Sequence, residues 1–92
     1  MTRVRPRDLP GLVAGVRAAA GEAVLVVIEA GLSPVDEAAM LAALSPLALE
    51  RAPEQRVNAV VLGEGAAPES VAAAERYLAG AVAVTGQVLR LG

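Results

Sequence analysis

The side chains best placed for chemistry in this 92-residue chain are carboxylates. Glu29 and Glu64 each follow an apolar run that reads as a strand, and Asp36 and Glu37 fall in the first turn of the intervening helix. Open α/β folds bind ligands at the carboxyl edge of the sheet. There Glu29, Glu37 and Glu64 would make an acidic pocket for a cation or small ligand, or a pair for acid/base work. The plainer reading is that carboxylates favour helix N-termini and exposed loops in any case. Tyr77 is the only aromatic residue. Without a lysine it is a poor acid/base group, and a core or interface role is simpler. Gly11-x-x-x-Gly15 is not a phosphate-binding turn, because no strand precedes it at the needed distance. It reads as a site of close helix packing.

The residue types that are missing exclude more than those present suggest. With no Cys there are no disulfides, thiolate metal sites or thiol nucleophiles. With no His, the commonest general base and metal ligand is gone. No lysine is present for a Schiff base, since all eight basic residues are Arg. No metal site and no cofactor site is expected. A net charge of −2, without a basic run or interleaved aromatics, gives no footing for nucleic acid. Arg3, Arg5 and Arg7 read as a solvated N-terminal arm. No run approaches the roughly 18 apolar residues of a membrane span, and the N-terminus lacks an apolar leader core. A soluble, cytoplasmic protein of one domain, residues 1–92, is the expectation.

The elements that must position these residues follow from periodicity. Leu9, Leu12, Val13, Val16 and Ala20 share a helical face, with Pro10 in the first turn and Gly21 at the place of a terminating glycine. Ala23–Ile28 is a continuous, largely β-branched run, the pattern of a strand buried on both faces of a parallel sheet. Ser33-Pro34-Val35-Asp36 is a helix start, with Ser33 as N-cap. That helix runs to about Ala52, through Pro46, which removes one backbone bond. Arg56–Leu62 is a second buried strand, Pro68 to about Ala79 a third helix ended by Gly80, and Gln87–Leu91 a last short strand. Residues 2–5 allow an additional leading strand. Strands alternating with helices imply a small three-layer Rossmann-like α/β domain. It should hold about three parallel strands, with helices on both faces.

Two blocks of residues then carry a resemblance. Pro46-Leu47-Ala48-Leu49-Glu50-Arg51-Ala52-Pro53 with Arg56-Val57-Asn58-Ala59-Val60 resembles the "SLALELAP…IRVNAVAPG" segment of short-chain dehydrogenases/reductases. Tyr77-Leu78-Ala79 with Val84-Thr85-Gly86-Gln87-Val88-Leu89 resembles their "FLAS…YVTGQVLxVDGG". The chain resembles the C-terminal part of that family over residues 23–91, and faintly over 9–22. The resemblance implies that the family's Tyr-x-x-x-Lys motif would fall with its Tyr on Ser33 and its Lys on Glu37, and the catalytic Ser near Glu29-Ala30. The family's glycine-rich cofactor turn has no counterpart in these residues. Glu37 carries the opposite charge to the lysine and would raise, not lower, the pKa of a neighbouring acid. A dinucleotide site contributed by another polypeptide would not replace the residues at 33 and 37. Loss of the family's oxidoreductase activity is therefore expected. By the same resemblance Asn58 and Thr85-Gly86-Gln87 are structural, and Arg56 and Arg90 read as surface ion-pairing residues.

The helix at 34–52 points instead to assembly. It is apolar on nearly every side for three turns, and a helix of that kind must be covered twice. Covering several hundred Å² of outer face at roughly 25 cal/mol per Å² would contribute on the order of 10 kcal/mol before association costs. In the resembled family this helix and its predecessor form an intersubunit bundle, and the last strand and helix form a second interface. Met40, Leu41, Leu44, Leu47, Tyr77 and Val88 are the expected contact residues. The expected partner is a second copy of the chain, or a full-length reductase of the family. The alternative is a small-ligand or cation binder at the acidic edge. Orderly capping at Ser33-Pro34 and Pro68 speaks against a decayed fragment, because local and global signals agree.

Overall fold

The computed structural model describes residues 1–92. Four strands and three helices alternate along the chain: β1 (Thr2–Val4), α1 (Leu9–Ala18), β2 (Ala23–Ile28), α2 (Pro34–Arg51), β3 (Arg56–Leu62), α3 (Pro68–Gly80) and β4 (Val88–Leu91). All four strands are parallel in the order β1-β2-β3-β4. The optional leading strand forms, so the sheet has four strands rather than three. Arg3 and Arg5 belong to it and its exit rather than to a free arm. Arg3 pairs with Glu75 at 2.7 Å and Arg5 with Glu29 at 3.2 Å. No helix is long and apolar enough to cross a membrane.

The β2–β3 pair is the centre of the molecule. Six residues of each strand stand in register, from Ala23 opposite Arg56 to Ile28 opposite Val61. Because strand side chains alternate between faces, the apolar runs feed two cores. Val24, Val26, Ile28, Val57, Ala59 and Val61 meet Leu12 and Val16 of α1 and Met40, Leu44, Leu47 and Ala48 of α2. Leu25, Val27 and Val60 meet Ala74 and Leu78 of α3 on the other side. Two helices thus cover one face and one covers the other.

Local chemistry sets the helix ends. Asp8 caps α1 by accepting from the Gly11 N–H at 2.8 Å, and Ser33 caps α2 by accepting from the Asp36 N–H at 3.1 Å. Helix α1 stops at Ala18, with Ala19 extended, so Gly21 does not terminate it. Gly21 instead takes a φ of 93° in the turn entering β2. Gly15 has a packing role, since a Cβ there would stand 2.6 Å from Cγ1 of Val4. Helix α2 continues through Pro46, whose ring sits on the exposed side.

Two buried amides hold the loops. Gln55, 5% exposed, donates through Nε2 to the carbonyls of Ala19 and Gly21 at 2.9 and 2.8 Å, and accepts from Arg51 Nε. Asn58, 3% exposed, donates to the Val84 carbonyl at 3.0 Å and accepts from the Gln87 N–H at 2.9 Å. Thr85 Oγ1 accepts from the Val57 N–H at 3.0 Å, and the Gly86 N–H donates to the Val57 carbonyl. Residues 84–87 are thereby bonded along β3 before β4 begins. Arg56 does not pair with an acid. Its guanidinium donates to the carbonyls of Leu78 and Ala81 at 3.3 and 2.9 Å and closes the C-terminus of α3.

Replacing Asn58 with Ala removes a buried amide and its two bonds to the Val84 carbonyl and the Gln87 N–H, and should cost about 1–3 kcal/mol in urea unfolding. Leu44→Asp, which puts a carboxylate in the larger core, should abolish the cooperative thermal transition.

Candidate functional site

The carboxyl edge of the sheet is built by Arg5 after β1, Glu29 after β2, Gly63 and Glu64 after β3 and Gly92 after β4, with the first turn of α2 above them. Glu29 is exposed and turned to Arg5. Glu64 is exposed on the β3–α3 loop, and Glu37 follows Asp36 in the first turn of α2. No group of three or more His, Cys, Asp or Glu side chains is arranged to hold a metal ion. Glu29, Glu37 and Glu64 thus form no group arranged to hold a metal ion.

Around Glu37 the edge is indented. Glu37, Val61, Leu62, Gly63, Arg90, Leu91 and Gly92 line a cleft of about 290 Å³. Gly63 is needed there: a Cβ would lie 3.0 Å from the Gly92 carbonyl oxygen and 3.1 Å from that of Leu91. The Gly63 N–H donates to the Leu91 carbonyl at 2.7 Å, which closes the β3–β4 ladder. Arg90 makes no ion pair, contrary to the surface-pair expectation. It was not legible as a cleft residue, since its placement depends on the register that sets it opposite Val61.

Ser33, at the entrance of α2, has its hydroxyl fully engaged. It accepts from the Asp36 N–H and donates to Asp36 Oδ2 at 2.9 Å. Helix α2 and the strands on either side have the connectivity and right order for a Rossmann-like half-sheet. A family model of short chain dehydrogenase-like proteins matches residues 8–91. The chain belongs to that family. No curated protein and no solved structure matches it. Against the family's Tyr-x-x-x-Lys motif, the sequence resemblance sets Ser33 and Glu37 at the motif positions. In the structure one of these is a helix cap and the other an unpaired carboxylate.

The expected contact residues divide sharply. Met40, Leu44 and Leu47 are buried against the chain's own sheet, so they belong to its core and are not offered to a partner. The sequence reading missed this because Ala residues on the opposite side of α2 count as apolar without needing cover. Leu41 and Val88 are half-buried at the margin of the same core. Tyr77 is 53% exposed on α3, which removes the core alternative for it. The outward stripe of α2 is Val35, Ala38, Ala42, Ser45 and Leu49, with Val35 78% and Leu49 75% exposed. Their spacing of three and four residues repeats along one helical face. Beside it, α1 turns Gly11, Ala14 and Ala18 outward.

Arg17 at the end of α1 forms two bonds to Glu50 of α2, at 2.9 and 2.7 Å. The bond from Arg17 holds the Glu50 carboxyl below its usual value of 4.5. A lowered acid contributes stability that is present above its unfolded pKa and is lost as pH falls through the folded one. The wild type should therefore lose more stability than Glu50→Gln between about pH 4.5 and pH 3. Thermal melts across that range, repeated in high salt to screen the exposed pair, provide the check.

Proposed function

We propose that the chain is a catalytically inactive member of its family that serves as an assembly or regulatory subunit, pairing with itself or with a full-length reductase. The single observation that carries the inactivity is Glu37. A lysine at that position would lower the pKa of a proton-relay tyrosine and hold a ribose hydroxyl; a carboxylate there does the opposite on both counts. The residue at the tyrosine position, Ser33, is an aliphatic alcohol whose hydroxyl is already bonded at both its donor and one acceptor site.

The assembly role is supported by the outer layer formed by α1 and α2. Small side chains at Gly11, Ala14, Ala18, Ala38 and Ala42 are exposed side by side, and such surfaces let two helices approach at close range. Val35 and Leu49 stand at the two ends of the stripe as large exposed apolar groups. A chain of this length also buries only about 60–65% of the surface its unfolded form exposes, so further cover adds stability that the fold alone supplies sparingly. The acidic-edge reading has less support, because Glu29 is turned to Arg5 and the carboxylates form no group arranged to hold a metal ion.

The test has two arms. Purified protein should give the mass of a dimer or larger by light scattering, or co-elute with a family reductase, and Ala42→Glu should shift it to the monomer without lowering its melting temperature. A monodisperse wild-type monomer that captures no reductase would count decisively against the assembly role. Incubation with carbonyl substrates and either nicotinamide cofactor should give no oxidation of the cofactor. Turnover that is lost in Glu37→Ala would overturn the claim of inactivity.

A further inference from the structure

The cleft at the carboxyl edge has a chemical character that the separate acids do not. It lies on the α1–α2 side of the sheet, where β4 extends beyond the cover of α2. Strand alternation and the pairing of Val61 with Arg90 put both side chains on that side. Val61 is the apolar residue of the floor on that side, since the Leu62 and Leu91 side chains pack towards α3, and the two charged members are Glu37 on the helix and Arg90 on the strand. Neither makes an ion pair or a side-chain hydrogen bond.

That lack of partners distinguishes Arg90 within the chain. Arg3, Arg5 and Arg17 are paired with acids, and Arg51 and Arg56 are bonded to neutral acceptors. Arg7, Arg76 and Arg90 have no side-chain acceptor, and of these three only Arg90 lines a cavity. A carboxylate and a guanidinium that share a cleft without closing on each other leave room for a molecule that answers both. The volume of about 290 Å³ is close to the ~300 Å³ lower bound of small-molecule pockets. It is too small for a dinucleotide.

We propose that this cleft binds a small zwitterion with an apolar body, the chemistry of a free aliphatic α-amino acid. Its ammonium group pairs with Glu37, its carboxylate with Arg90 through the two parallel N–H donors that guanidinium offers, and its side chain covers Val61. The Gly63 amide borders the site without being a donor to it, since it is committed to Leu91. The site does not require the assembly role, because its lining comes from one chain.

The experiment is a titration of the isotopically labelled full chain, followed by amide NMR, with three probes: L-leucine, leucinamide and N-acetyl-L-leucine. L-leucine should give saturable shifts confined to Gly63, Arg90, Leu91, Gly92 and the first turn of α2. Leucinamide lacks the anion and N-acetyl-L-leucine the cation, so each should bind at least roughly tenfold more weakly. Glu37→Gln and Arg90→Gln should each weaken L-leucine by a similar factor while leaving the far-ultraviolet circular dichroism unchanged. Absence of saturation up to about 10 mM, saturable shifts elsewhere on the chain, or equal affinity for the three probes would each overturn the proposal. The three-probe comparison on the unmodified chain decides the matter even if a variant fails to fold.

Discussion

Everything in this molecule rests on the β2–β3 pair being buried on both faces. Ten consecutive-strand positions, Val24–Ile28 and Val57–Val61, have almost no contact with water. Parallel strands require crossovers long enough to return along a face of the sheet, and that need dictates α2 and α3. The short aliphatic side chains of the strands then let Leu12, Leu44 and Leu78 settle directly onto them. With one polar exception these ten positions are hydrocarbon throughout. Asn58 is that exception, and its amide makes one donated and one accepted bond to the 84–87 turn. A buried polar group bonded through both its nitrogen and its oxygen fixes geometry at little cost, and here it fixes where β4 starts.

Much of the fold is visible in the sequence for that reason. A run such as Ala-Val-Leu-Val-Val-Ile can be satisfied in few ways, and Ser33-Pro34 and Pro68 mark helix starts by local rules alone. What escaped is what depends on distant partners. β1 is three residues long, too short for a periodic signal, and is held by pairing with β2, by Val4 against Gly15 and by two ion pairs. Gln55 reads as an ordinary loop glutamine until the carbonyls of Ala19 and Gly21 are placed beside it. Arg56 reads as a surface charge until α3 ends above it.

The candidate site divides along the same line. The departures from the family motif at Ser33 and Glu37 are written in the residue types and needed no coordinates. The distribution of α2 between inside and outside was not legible, because alanine is equally at home on both sides. Helical phase resolves it: Met40, Leu44, Leu47 and Ala48 are one stripe, and Val35, Ala38, Ala42, Ser45 and Leu49 another. Glu37 and Arg90 share a cleft only because strand order sets β4 beside β3 and leaves it beyond the helix.

The unequal division of helices between the two faces has a dynamic consequence. Twelve buried residues knit α1, α2 and the central strands together, while α3 is anchored to the opposite face by a cluster of five. Protection against solvent exchange is set by the cooperative unit to which an amide belongs. The lighter half, α3 with its guanidinium clasp at Arg56, is therefore the part that lifts away first during partial opening, and it does so while the heavier half keeps its native shape.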